Sequence, residues 1–370
     1  MSMGMLIILT MGLSACIQTA PPELIQDVEA MDRELHEVGG AEFAPEEYNR
    51  FIEQWVALKA RLEEDDDLIR LPWEPNRVAA EVARVAEQAR KTLSVTKERR
   101  EAQRQSASEQ LERAAARLER LKVRVTELGG QTLLGKQLVE TTLLVHQART
   151  YYDHARYRRA EEQAQLALKS IGAQTIKLTR ELGRYTDEDK ISNWRHMAQH
   201  TLDWSRRARA HAMIVNKADR ELKLYRGGKL ISTVSVRLGA DGILEKHRHG
   251  DGATPEGYYH VVQKQGPSKT SYHRALVLDY PNGEDRRTYR IERKEHSGTP
   301  AERSPTSIAI HGQNSRDLTP VTGGVMLDNR QMDKLYRTIQ PGTPVTIVGA
   351  LDGNNPVSRV LPELAEFAAD

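Results

Sequence analysis

Apolar residues recur three and four positions apart through most of the first 205 residues, then switch to strict alternation. Val78, Val82, Val85, Ala89 and Leu93 form one helical seam, and Leu111, Ala114, Leu118, Leu121, Val125 and Leu128 form another. Between Leu24 and Ser205 the chain is rich in Ala, Glu, Arg, Leu and Gln, which lose little side-chain freedom in a helix. The pair Pro72 and Pro75, the pair Gly129-Gly130 and Gly172 are expected to divide this stretch into antiparallel helices. From Ala212 the period falls to two. Met213 to Asn216 leads to Leu222 to Tyr225, a turn at Gly227-Gly228, and a strand from Leu230 to Leu238. The pattern predicts an α+β multidomain chain, with an N-terminal α-helical bundle or coiled-coil region followed by a mostly-β domain. The expected boundaries are a helical domain over 17–205, a basic junction over 206–211, a β domain over 212–349 and a tail over 350–370.

Composition narrows the functional classes. Lys and Arg (54) nearly balance Asp and Glu (52) in 370 residues, so the net charge of +2 gives no field for nucleic acid. A single cysteine excludes an internal disulfide framework. Arg99, Arg100, Arg104 and Arg113 are interleaved with Glu98, Glu101, Glu109 and Glu112, as on a solvated helix face. The acidic run Glu63 to Asp67 lacks the spacing and glycine of a calcium loop. His196 and His200 share a helical face without a third ligand, and His247, His249 and His311 are scattered over loops, so no metal or other cofactor is expected. Arg206, Arg207 and Arg209 suit the last turn of a helix, where cations complement its dipole.

At the N-terminus, an apolar run from Met5 to Leu13 ends in Ser14-Ala15-Cys16. This resembles a bacterial lipoprotein signal over 1–16, cut before Cys16, and the run is short for a membrane span. The resemblance implies acylation of Cys16, and Ile17 in place of an aspartate implies no retention in the inner membrane of a Gram-negative cell. The expected location is the periplasmic face of the outer membrane, with the membrane contacted through the lipid.

Two further stretches carry the candidate chemistry. Gly250 to Tyr259 reads G-D-G-A-T-P-E-G-Y-Y, with Gly250, Thr254, Pro255 and Gly257 suited to a tight loop that feeds a strand. Thr306 to Asn329 places Ile308 and Ile310 before His311-Gly312, then a polar loop, the pair Gly323-Gly324 and a second apolar run ending at Asn329. With Asp333, Leu335-Tyr336 and the strand Pro341 to Val348, these motifs resemble the L,D-transpeptidase (YkuD) catalytic domain over about 212–349. That resemblance implies a peptidoglycan stem-peptide substrate. It also implies a Ser/Thr-His-Gly-Cys element, whose cysteine falls on Gly324, whose histidine falls on Thr322, and whose following arginine falls on Met326. The nucleophile and base positions are therefore degenerate, because glycine has no thiol and a threonine hydroxyl is no base near neutral pH. His311, Gly312, Gly323 and Asn329 remain as substrate-binding candidates, with His311 expected to order the loop or touch substrate.

Three functions follow. The first is a catalytically impaired scaffold that binds peptidoglycan. The second is an active transpeptidase or hydrolase without cysteine, with Ser315, Thr319 or Thr322 activated by His311. The third is a purely structural lipoprotein whose helical half recruits a protein partner.

Overall fold

The computed structural model describes residues 16–17, 21–64, 69–70, 76–247, 251–287, 308–313 and 323–369. The chain divides into two compact units, one of residues 1–109 with 152–158 and one of residues 110–151 with 159–370. The α+β reading holds, with helices first and a strand-rich domain after them.

In the first unit, α1 (Pro22–Val38), α2 (Gly40–Phe43), α3 (Pro45–Glu64) and the start of α4 (Arg77–Leu128) surround one apolar core. Val28, Leu35, Phe51, Trp55 and Leu58 meet the expected seam of Val78, Val82, Val85 and Ala89 there. Arg99 and Arg104 lie outside it, in ion pairs with Glu47 and Glu101 at 2.8 and 2.7 Å. Two short strands, β1 (Cys16–Ile17) and β2 (Ile69–Arg70), pair antiparallel. No helix among the described residues is long and apolar enough to cross a membrane.

In the second unit, the rest of α4 is followed by α5 (Gln131–Asp153), α6 (Tyr157–Leu182) and α7 (Glu188–Ala208). The break at Gly129-Gly130 is real, since both residues have positive φ (84° and 113°) that glycine adopts without a Cβ clash. Asp241, 1% exposed, accepts hydrogen bonds from the backbone N–H groups of Gly130 and, at 2.8 Å, Thr132, and so caps α5 from another part of the chain. The break expected at Gly172 does not occur, because α6 continues to Leu182. The buried row Ala160, Ala164, Ala167, Ile171, Thr175 and Leu178 runs unbroken past it. One glycine costs a helix only about 1 kcal/mol against alanine, less than this packing returns.

The strands that follow are β3 (His211–Asn216), β4 (Glu221–Arg226), β5 (Lys229–Ser235), β6 (Arg237–Leu238), β7 (Gly257–Gln265), β8 (Ala275–Leu278), β9 (Ala309–His311), β10 (Val325–Met326) and β11 (Pro344–Val348), with α8 (Asn329–Thr338) before β11 and α9 (Leu361–Ala369) after it. The expected turn at Gly227-Gly228 joins β4 to β5, but the strand expected from Leu230 to Leu238 is two. The sheet order is β5-β4-β3-β11-β7-β8-β9-β10-β6, so Val236 alone carries the chain from one end of the sheet to the other. A sheet whose end strands are joined by one residue must curl nearly into a barrel. Met213, Val215, Tyr259, Leu276, Ile310, Val325, Val345 and Ile347 fill its interior, together with Met332 and Leu335 of α8.

The boundary drawn at 206–211 marks a change of period and not of packing. Helix α7 ends at Ala208, Arg209 caps it in the left-handed conformation (φ 51°), and β3 starts at His211. Alternate residues of β3 face opposite ways, and Ile214 joins Val348, Trp194, Ala198, Leu178, Leu182, Leu121 and Val125 in a second core. Thr201 of α7 and Thr346 of β11 share a buried hydrogen bond, and the indole of Trp194 lies so close to Gly349 that a Cβ there would overlap it. The expected tail is likewise part of this core, through Ala350, Val357, Leu361 and Leu364. Asn355, 2% exposed, donates to the Tyr185 carbonyl at 2.8 Å. A fragment of residues 212–349 is therefore expected to lack a cooperative thermal transition, whereas a fragment of 110–370 retains one. Calorimetry on both would check this, and a cooperative transition in the shorter piece would show that the inner core suffices.

Candidate functional site

Strand β9 ends in His311 because Ile308 and Ile310 point into the barrel interior, which turns Ala309 and His311 to the other face. β9 pairs antiparallel with β8 and parallel with β10, and β10 pairs antiparallel with β6. The register therefore sets Ala275, His311, Met326 and Arg237 in one row across four strands. Gly324 lies two residues before Met326 and shares its face.

His311 is 1% exposed. Its Nδ1 is 2.9 Å from the carbonyl oxygen of Gly312, which accepts the ring N–H and leaves the lone pair on Nε2. That Nε2 is buried with no hydrogen-bond partner among the described residues. Burial lowers the pKa of the imidazole, against a smaller upward pull from the Gly312 carbonyl. The ring is therefore neutral near pH 7. Tyr272 stacks on one of its faces, with centroids 3.7 Å apart and planes 21° apart. A Cβ at Gly324 would stand 3.0 Å from His311 Nε2 and 3.0 Å from the Ala309 carbonyl oxygen. Position 324 thus borders directly on a basic nitrogen.

The surroundings hold this arrangement in place. Gly323 has φ 75°, and a Cβ there would come within 2.7 Å of the Ala253 carbonyl oxygen, so the 251–256 loop forms the floor of the Gly323-Gly324 turn. Gly239 is equally closed in, by Gly252 and Gly323. Asn329, at the start of α8, accepts from the Gln313 backbone N–H at 2.8 Å, and its Oδ1 would stand 2.7 Å from a Cβ at Gly312. His273 and Arg274 reach Asp333 Oδ1 at 2.8 and 2.7 Å, and the His273 hydrogen bond is the main reason that carboxyl stays below its ordinary range.

The loop below the site is tied to a buried ionic cluster that the sequence did not flag. Lys217, fully buried, donates from Nζ to the carbonyls of Leu244 and Thr254 at 2.9 and 2.8 Å and to Glu256 Oε1 at 2.9 Å. Glu256 Oε2 accepts from Trp194 Nε1 at 3.0 Å and from Arg184. Burial pulls the Lys217 pKa down to about 8. Of the motif residues, Thr254 and Pro255 are buried, Gly257 opens β7, and a Cβ at Gly257 would stand 2.7 Å from the Tyr259 hydroxyl oxygen.

Of the residues expected at the site, His311, Gly312, Gly323, Gly324 and Asn329 are brought together. Thr322, Gly250, Ser315, Thr319 and His249 lie outside the described residues, as does the side chain of Cys16. The position to which the resemblance assigns the base, Thr322, lies outside the described residues, and the imidazole beside Gly324 belongs to His311, held there by the parallel pairing of β9 with β10. Its signal was the alternation of Ile308 and Ile310, which already sets His311 on the face opposite the core. Lys217 and Glu256 carried no such signal, since only the fold brings them together. Among the described residues, no group of three or more His, Cys, Asp or Glu is placed to hold a metal.

Residues 210–347 match the family model of the L,D-transpeptidase catalytic domain, YkuD. Nothing among the curated proteins matches the chain. Among solved structures, an L,D-transpeptidase from Stackebrandtia nassauensis is similar at 18% identity, covering 39% of this chain and 58% of that one, with a TM-score of 0.24. L,D-transpeptidase 1 of Mycobacterium tuberculosis is similar at 16% identity over 38% and 62% of the two chains, with a TM-score of 0.22. An L,D-transpeptidase from Xylanimonas cellulosilytica DSM 15894 is similar at 16% identity over 37% and 60%, with a TM-score of 0.24. This chain thus spans less than two thirds of each.

Proposed function

We propose that the L,D-transpeptidase-like domain binds peptidoglycan stem peptides without cysteine-dependent acyl transfer, as a scaffold of the cell envelope. The observation that carries this reading is the contact of Gly324 with His311. The nucleophile position holds no side chain, and the basic nitrogen stands within 3.0 Å of where a Cβ would be. A site without its reacting group keeps the contacts that recognise substrate, because binding and chemistry are separable. In this proposal Cys16 carries the lipid that holds the protein to the periplasmic face of the outer membrane, and the helices of the first unit recruit a protein partner.

The unpaired Nε2 of His311 favours one second reading, in which it takes a proton from water that attacks a stem-peptide carbonyl. Both readings are tested by incubating the full chain with purified sacculi and with tetrapeptide muropeptides, then following binding and product masses. Retention on sacculi with unchanged muropeptides is the expected result. Shortened muropeptides that persist after thiol alkylation would favour the hydrolytic reading, and the absence of binding would sink both. Labelling with a fatty acid is expected to mark the wild-type protein and not Cys16→Ser. Equal labelling of the two would refute the anchor.

A further inference from the structure

We propose that the last turn of α7 and the hairpin of β4 and β5 together form a docking surface for an anionic lipid bilayer, one that does not depend on an acyl chain at Cys16. Three hydrogen bonds join the two segments. Gly227 N–H donates to the Ala210 carbonyl at 3.2 Å, Gly228 N–H to Ser205 Oγ at 3.1 Å, and Ser205 Oγ to the Ala210 carbonyl at 2.6 Å. Arg206 lies against the turn, its Cβ 3.1 Å from where a Cβ of Gly228 would stand. Arg206, Arg207 and Arg209 of the helix end and Arg226 and Lys229 of the hairpin are all exposed. Against these five cations, residues 203–211 and 226–229 hold one carboxylate, Asp203, which pairs with Arg206 at 2.7 Å. Among the described residues no carboxylate pairs with the other four. The whole chain has a net charge of only +2, so the excess is local.

The helix dipole accounts for cations at the end of α7, but not for those of the hairpin. Arg226 stands directly opposite Lys229 on β5 and His211 on β3, so three basic side chains form one row across three strands. Burial, and then Arg226, hold His211 below its ordinary pKa, so it is neutral near pH 7. Like charges directly opposite each other destabilise a sheet, so the facing of Arg226 and Lys229 costs the fold. An anionic surface outside the protein turns that cost into attraction. Next to these cations, Leu230 and Ile231 are 53% and 57% exposed. β5 closes one end of the sheet order and pairs only with β4, and consecutive strand residues face opposite ways, so the two apolar side chains flank an open edge. A charged polymer such as the cell wall would meet the cations and leave Leu230 and Ile231 in water. A bilayer meets both, with phosphates for the cations and the boundary between headgroups and acyl chains for the apolar pair.

The test uses the full chain carrying Cys16→Ser, which removes any acyl anchor, and sedimentation with vesicles of phosphatidylcholine alone or with about one third phosphatidylglycerol. Circular dichroism checks that each variant is folded. The Cys16→Ser chain is expected to bind the anionic vesicles and not the neutral ones. Adding Arg207→Gln, Arg226→Gln and Lys229→Gln should weaken that binding about 100-fold at low salt, since each cation near an anionic surface contributes about fivefold. Leu230→Ser with Ile231→Ser should weaken it about tenfold, and this loss should persist in 0.5 M salt (about a 4 Å screening length), where the charge variants no longer differ from their parent. Equal binding to both kinds of vesicle, or folded charge variants that bind anionic vesicles as well as their parent, overturns the proposal. So does a chain that ignores vesicles but loses its retention on purified sacculi when the three cations are replaced, which would assign the surface to cell-wall carboxylates.

Discussion

Glu256→Ala is expected to destabilise the full chain by about 3–5 kcal/mol, the typical cost of removing one partner from a buried ion cluster. Lys217 is 0% exposed, and Arg184 retains 8% of its side-chain surface. Without the carboxylate these two cations face each other, with the Leu244 and Thr254 carbonyls, the half-exposed Glu245 and the face of the Trp194 ring left to them. Trp194 also loses the acceptor for its indole N–H. Urea unfolding of the wild type and the variant measures the difference. A loss under about 1 kcal/mol would mean that water solvates the cluster. The pH dependence adds a check of sign. Burial alone would raise the Glu256 pKa, but Lys217 and Arg184 outweigh it and hold the carboxyl below its ordinary value of 4.5. On acidification the unfolded chain takes up this proton first, so the contribution of Glu256 is complete above about pH 4.5 and fades as the pH falls through the folded value. Glu256→Ala should flatten that acid limb. Because the Ala253 carbonyl abuts Gly323, the variant should also weaken the muropeptide binding proposed above.

The second large effect concerns chemistry. The wild-type domain is expected to form no cross-linked product by a thiol route, since loss of one member of a catalytic unit typically costs on the order of 10⁴–10⁶ in turnover. Gly324→Cys, in a Cys16→Ser background, is expected to gain a reactive thiol with no change at Thr322. His311 Nε2 already faces the new side chain, and a neighbouring imidazole lowers a thiol from its free pKa of about 8.5. At pH 6.5 alkylation should be roughly tenfold faster in this variant than in the same variant carrying His311→Ala. Two effects work against it. A Cβ at 3.0 Å is a few tenths of an ångström too close, so His311 must give way, and the burial that lowers its pKa disfavours the imidazolium partner. A thiol that titrates near 8.5 with or without His311 would show that the ring does not act on position 324.

The sequence by itself determined what depends on near neighbours along the chain. Helical seams such as Leu111 to Leu128, the glycine turns at 129–130 and 227–228, and the alternation that puts His311 opposite the core follow from periods of 3.6 and 2 and from glycine's tolerance of positive φ. The order of the motifs also pointed to the YkuD resemblance over about 212–349, and the family model matches 210–347. Only the tertiary structure decided what depends on residues far apart in sequence. The code at Gly172 suggested a break, but the continuous buried face from Ala160 to Leu178 overrides a local cost of about 1 kcal/mol. Composition drew a boundary before Ala212, yet Trp194 on Gly349 and Ile214 among the helices join both sides in one core. Position 324 could be read as lacking a thiol, because a glycine states this outright. That an imidazole stands beside it, and that Lys217 and Glu256 meet beneath the loop, could not be read, because strand pairing and long-range burial bring those groups together and leave no periodic trace in the chain.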